Sequence, residues 1–211
     1  MKKVIALFLA LALCLPLYAC GSSDFKLDDP QWQYDQFMQY ITNGQYEEAR
    51  DFYWANQQLR NYQDAADYYN FTNIMVTEYS QGRLGYAYQQ LSELPHLPVV
   101  DKIMHEIEDK LSFLQGEWVQ EVDGNSLFLA FRNGFGVMKF YTAEEAQNGF
   151  QYNNEDFICD IAERTLDDGT TTLVFSSNYT ITHIKESNQI VLSPIQDSDF
   201  DTFKGIYQKI S

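Results

Sequence analysis

Residues 116–141 read GEWVQEVDGNSLFLAFRNGFGVMKFY, and this stretch decides the fold of the second half of the chain. Three runs rich in β-branched and aromatic residues, 117–122, 126–132 and 135–141, are separated by Asp123-Gly124 and Asn133-Gly134. Both dipeptides favour the left-handed backbone of a tight hairpin loop, so the stretch predicts antiparallel strands. Further runs follow at 156–164, 170–175, 178–185, 188–193 and 203–210, with Asp168-Gly169 and Glu186-Ser187-Asn188 as turn signals. Eight short strands in residues 115–211 predict a small antiparallel β-barrel or sandwich.

Upstream, residues 30–114 change from period two to helical periodicity. Asp29-Pro30 supplies an N-cap and a proline at the first helical position. Trp32, Phe37, Tyr40 and Ile41 then share a stripe, and Asn43-Gly44 ends the helix. A second helix is expected from Gln45 to about Leu59, with Tyr46, Ala49 and Tyr53 on one face. A third, capped by Asn61, is expected over 62–80, with Gly82 as the break, and a fourth over 84–93. Pro95-His96-Leu97-Pro98 forces a loop. The last helix, 99–114, repeats Val100, Ile103, Met104, Ile107, Leu111 and Leu114 at spacings of three and four. The expected class is α+β, divided into residues 1–19, 20–29, 30–114 and 115–211.

The N-terminus explains the first two divisions. Lys2 and Lys3 precede an apolar run, Val4 to Leu15, and Leu17-Tyr18-Ala19-Cys20 follows. The run is too short to span a bilayer and reads as a processing signal. It resembles the signal peptide and lipobox of bacterial lipoproteins, with Tyr18 a departure from the usual small or branched residue. The resemblance implies that Leu17 and Ala19 fill the signal-peptidase subsites and that Cys20 becomes a lipidated N-terminus. Gly21-Ser22-Ser23 would be the tether. The competing reading is an ordinary secretory signal with Cys20 incidental. The lipoprotein reading implies a membrane partner through an N-terminal lipid anchor, at the extracytoplasmic face of the cell membrane. Two acyl chains on one residue anchor stably.

Two further resemblances concern the folded part. Gly44-Gln45-Tyr46-Glu47-Glu48-Ala49 and Gly82-Arg83-Leu84-Gly85-Tyr86-Ala87 occupy matching turns 38 residues apart. Glycine at the turn and a small alanine on the next helix resemble tetratricopeptide-like (TPR-like) repeats, which implies antiparallel helical hairpins. The tryptophan–leucine–glycine start and the closing proline of that repeat are missing, and a plain antiparallel bundle fits equally. Gly116-Glu117-Trp118 on the first strand resembles the lipocalin-like, or calycin-type, modules of bacterial lipoproteins. That likeness implies a last strand closing on the first, Trp118 plugging the closed end, and a small cavity if any.

The chain has 30 acidic and 14 basic residues, a formal charge of −16. Loss of Lys2 and Lys3 would make it more negative still. Such a charge argues against nucleic-acid binding and against docking of the protein surface on anionic lipid. Of three cysteines, Cys14 would leave with the signal and Cys20 would be lipidated, so Cys159 remains alone and no internal disulfide is expected. This economy fits a Gram-positive envelope.

Catalytic groups are scarce. His96 lies between prolines, His105 in the last helix, and His183 on the Tyr179–Ile181–His183 face of a strand; none has a second histidine at metal spacing. Cys159 alternates with Phe157 and Ile161 and reads as a small core residue. Asp197-Ser198-Asp199-Phe200-Asp201 resembles half a calcium loop, but Thr202 and Gln208 stand at the glycine and glutamate positions. No metal, no cofactor and no catalytic constellation is expected, so the chain reads as a non-enzyme; an envelope hydrolase would require a cleft of convergent titratable groups. Tyr62, Tyr68, Tyr69, Tyr79, Tyr86 and Tyr88 crowd the helical half and form the candidate interaction surface. The expected function is a membrane-anchored, non-enzymatic protein-interaction module with an envelope protein as partner. The alternative is a lipocalin-like binder of a small apolar ligand.

Overall fold

The computed structural model describes residues 28–196 and 201–211. The signal segment with Leu17, Ala19 and Cys20, and residues 197–200 of the acidic loop, lie outside the described residues. Helices occupy the first half of the described chain and a closed eight-stranded antiparallel barrel the second. The chain divides into two compact units, one through Tyr69 and one from Asn70. The change from helix to strand comes later, at Gly116, as the sequence pattern requires.

In the first unit, α1 (Pro30–Thr42) starts where Asp29 accepts a hydrogen bond from the Gln31 amide at 3.0 Å. Phe37 and Ile41 are buried on its inner stripe. Gly44, at φ +74°, makes the turn into α2 (Tyr46–Ala55), which buries Ala49 and Tyr53. The two helices meet through Phe37 on Tyr53 and Tyr40 on Phe52, both at 5.6 Å between ring centres. The second helix stops at Ala55, short of the expected Leu59. Asn56 is extended there and its side-chain amide donates to the Phe52 carbonyl, while Leu59 sits buried in a 3-10 turn. Asn61 ends that turn rather than capping a helix; α3 (Ala65–Ile74) begins later and continues as a π-helical turn, Met75–Tyr79.

The second unit contains α4 (Leu84–Ser92), α5 (Pro98–Leu111) and the barrel. Its strands are β1 (Gly116–Val122), β2 (Asn125–Arg132), β3 (Phe135–Tyr141), β4 (Cys159–Thr165), β5 (Thr171–Phe175), β6 (Tyr179–Ile184), β7 (Gln189–Pro194) and β8 (Gly205–Lys209). Each pairs with the next, and β8 closes on β1 through Trp118 opposite Lys209. The register defines the inner face. Trp118 stands opposite Leu129 and Phe131 opposite Gly136. Ile161 stands opposite Phe175, which stands opposite Tyr179, and Ile190 opposite Tyr207.

That face is packed. Trp118, Phe175, Tyr179 and Tyr207 are fully buried, and each aromatic ring removes a large apolar area from water. A methyl group on Gly136 would lie 2.5 Å from the Phe175 ring and 2.8 Å from the Phe131 ring. One on Gly205 would lie 2.3 Å from the Gln120 amide group. At the Gly136 level the interior lacks room for a single added carbon, which is the density of a protein core, whereas at Gly205 the obstacle is the end of the Gln120 side chain.

One end is closed by the C-terminal turn of α5 and the residues after it. Lys110 pairs with Glu163 at 2.6 Å, Phe113 stacks on His183 at 4.6 Å, and the Trp118 indole donates to the Leu114 carbonyl at 2.8 Å. Trp118 thus has the packing role expected of it.

The weak seam of the barrel lies between β3 and β4, which share only two residue pairs, Phe135 with Asp160 and Gly136 with Cys159. Two devices cover it. Residues 142–158 fold over the outer face of β2 and β3: Thr142 and Glu145 form a capping box that starts α6 (Ala143–Gln147), and Phe150 stacks on Phe128 at 4.6 Å. A second capping box, Asn153 with Asp156, makes a 3-10 turn, so the strand expected from 156 begins at Cys159. Phe157 consequently packs with Tyr152 in the outer cluster and does not share the Cys159–Ile161 face. Beyond the Gly134 turn, where β4 would have a bare edge, residues preceding α4 supply one: the Glu163 amide donates to the Gly82 carbonyl at 2.7 Å and Arg83 bridges to Ala162.

Candidate binding groove

The junction of α4 with the barrel is a contact between glycines. Gly85, inside α4, lies against Gly134, the left-handed residue of the β2–β3 turn; a carbon added to Gly134 would be 2.5 Å from the Gly85 Cα. Asp160 fastens the same point. Its carboxylate accepts from the Gly85 amide at 3.1 Å, capping α4 from another element, since α4 has no capping side chain of its own. Burial dominates the Asp160 environment and pushes its carboxyl up to about 6, against the pull of the Gly85 and Tyr86 amides and of Arg83.

This docking leaves a groove of about 440 Å³ between α4, the β2–β3 turn and residues 154–158. Tyr86, Tyr88, Gln89 and Ser92 come from α4, Arg132, Asn133 and Phe135 from the hairpin, and Asn154, Phe157 and Ile158 from the covering segment. The rings are held in place. Tyr86 meets Phe135 edge-on at 5.3 Å and carries the Arg83 guanidinium at 4.3 Å from its ring centre. The Tyr88 hydroxyl donates to Glu108 at 2.7 Å, and burial followed by this bond pushes its pKa up to about 12, so it stays protonated. Arg132 lies over Phe157 at 4.9 Å and donates through Nη1 to Asn154 at 2.7 Å. Ile158, at the rim, is 73% exposed, the most exposed of the large apolar side chains in the described residues.

A second cavity, of about 410 Å³, sits at the barrel mouth opposite the end that α5 closes. It is lined by Gln120, Val122, Leu127, Phe140 and Lys204, among others. Phe140 is half exposed, and Gln120 Oε1 is buried without a hydrogen-bond partner among the described residues.

The candidate tyrosines separate. Tyr86 and Tyr88 line the groove together. Tyr79, also in the second unit, donates to Glu106 at 3.3 Å and is not part of it. In the first unit, Tyr62 donates to Gln31 and Tyr69 accepts from the exposed Trp54 while stacking on Tyr53 at 4.4 Å. Tyr68 is buried and belongs to the core, not to a surface. His96 is wholly exposed beside Asp101, the His105 ring bonds the Asp101 carbonyl, and His183 stacks on Phe113. Cys159 is a half-buried free thiol. Among the described residues no group of three His, Cys, Asp or Glu side chains is arranged to hold a metal, and no helix is long and apolar enough to cross a membrane.

Arg132, Phe135, Phe157 and Ile158 were not among the sequence candidates. Their signal in the sequence is faint: an aromatic after each turn and an exposed isoleucine beside a cysteine. No protein-family model, curated protein or solved structure matches the chain.

Proposed function

We propose that this chain is a non-enzymatic binding module, held at the extracytoplasmic membrane face by a lipid on Cys20, that engages an envelope protein through the groove beside α4. The observation that carries this is a contrast. The barrel interior has no room for one methyl group at Gly136, while ring-lined space lies open outside the barrel wall. A packed barrel is a scaffold, and a shallow groove with positioned aromatic rings and an arginine is the composition of a recognition surface. The acidic surface elsewhere would keep the module off anionic lipid, so the tether carries the membrane attachment.

The test is affinity capture from native envelopes with the full lipoprotein and two folded variants. Ile158→Glu charges the groove; Phe140→Glu charges the mouth. A protein captured by wild type and Phe140→Glu but lost from Ile158→Glu supports the reading. Retention by Ile158→Glu overturns it.

The mouth favours one alternative. An eight-stranded barrel is compatible with a lipocalin-like binder, and Phe140 with the unpartnered Gln120 Oε1 would give a small apolar ligand a ring and a hydrogen-bond acceptor.

A further inference from the structure

We propose that the groove selects a peptide segment in which a large apolar side chain is followed by a carboxylate: the apolar group enters between Tyr86, Phe135 and Phe157, and the carboxylate meets Arg132. This deepens the binding-module reading and rests on it.

Three observations carry the charge preference. None of the ten groove-lining residues is acidic, although the chain holds 30 Asp and Glu; of the acidic groups next to them, Glu108 accepts from Tyr88, Asp156 pairs with Lys139, and Glu155 of the covering segment does not line the groove. Acidic groups set elsewhere on this surface would repel a carboxylate, so a lining free of them is where one can settle. Second, Arg132 has no ion-pair partner among the described residues; Arg60 and Arg164 have none there either, but of the three only Arg132 lines the groove. Third, its guanidinium is already oriented. Phe157 supports its plane and Asn154 takes one N–H, leaving other N–H groups of the fork for a second acceptor. A guanidinium held this way has lost its side-chain freedom before the ligand arrives, and its planar fork matches the two oxygens of a carboxylate. A free lysine at the same place would offer neither.

Shape sets the apolar part. The groove is open along one side and about 440 Å³ in volume, enough for one or two side chains of a peptide rather than a folded surface. Tyr88 and Gln89 at the α4 wall add polar edges for the peptide backbone.

Two probes test this on the full chain: acetyl-Gly-Phe-Asp-Gly-amide and the same peptide with Asn for Asp, titrated by NMR. The Asp probe should shift resonances of Tyr86, Phe135 and Phe157 and bind about five-fold more tightly than the Asn probe, the effect of one partly exposed ion pair. In Arg132→Gln the two probes should bind equally. Equal binding of both probes to wild type overturns the charge preference while leaving the groove as the site. Shifts confined to the barrel mouth, or no binding of either probe, overturn the inference; the capture experiment with Ile158→Glu decides the broader reading independently.

Discussion

Alanine normally stabilises a helix relative to glycine by about 1 kcal/mol, yet Gly85→Ala is expected to destabilise this chain. A Cβ at Gly85 would lie 2.3 Å from the Gly134 carbonyl oxygen and 2.6 Å from the Asp160 carboxylate. The first contact is with backbone, so it cannot be relieved by a rotamer change; α4 or the β2–β3 turn must move. Overpacking of this kind costs ~1–3 kcal/mol, and the Gly85–Asp160 hydrogen bond, worth ~1.5–3 kcal/mol with a charged acceptor, is weakened or lost. Against the helix-propensity gain, the net loss is about 2–3 kcal/mol, a fall in Tm of roughly 5–10 °C for a chain of this size. Thermal unfolding followed by circular dichroism reads the first quantity. Hydrogen exchange at the Glu163 amide, bonded to the Gly82 carbonyl, reads the local consequence and should accelerate. Gly44→Ala is the contrast: its backbone is left-handed but nothing lies within 4 Å of the added carbon, so only ~1–2 kcal/mol of conformational strain is expected. An unchanged or raised Tm in Gly85→Ala would refute the docking of α4 on the barrel wall.

Other outcomes follow from the same contacts. Asp160 has its pKa raised in the folded state, so the folded chain binds more protons than the unfolded one between pH 4 and 6, and this contribution to stability is lost as pH rises through that window. Asp160→Asn keeps an oxygen acceptor for Gly85 and should remove that slope, about 1 kcal/mol after allowing for partial exposure, in denaturant titrations at the two pH values. Trp118→Ala should cost ~3–5 kcal/mol in chemical denaturation, since it empties the most voluminous fully buried site in the barrel and frees the Leu114 carbonyl. Independently of these contacts, the lipid anchor proposed on Cys20 predicts that Cys20→Ala moves the protein from the membrane pellet to the soluble fraction and abolishes labelling by radioactive palmitate.

The barrel was legible because its turns are chemical signals: Asp123-Gly124 and Asn133-Gly134 adopt the left-handed backbone at both residues. The strand between them, β2, does not alternate but buries Ser126 to Phe131 in succession, because residues 142–158 cover its outer face. The interruption between β3 and β4 was harder. Thr142 and Glu145 stand at capping-box spacing in plain view, but the helix they start is five residues long and buries nothing wholly, so it has no periodicity to detect. The two glycine turns illustrate a deeper limit. Gly44 and Gly82, which the sequence echo matches as turn glycines, both adopt the left-handed conformation, at φ +74° and +72°. Only Gly82 is pressed against another strand, where a carbon would meet the Glu163 carbonyl. Nothing local distinguishes the two, because the neighbour lies 81 residues away in sequence. The groove was invisible for the same reason: its lining comes from three separate segments that only the α4 docking brings together. Among the tyrosines, helical spacing alone could not tell buried Tyr68 from half-buried Tyr86 and Tyr88.

The most direct test places a photo-reactive amino acid at Ile158 in the groove and, separately, at Phe140 at the barrel mouth, in the full chain in living cells. A discrete protein crosslink from position 158 that position 140 does not give is the predicted result. A crosslink to a protein from position 140 alone, or a small-molecule adduct there with none at 158, would contradict the account of the barrel as a scaffold for the groove.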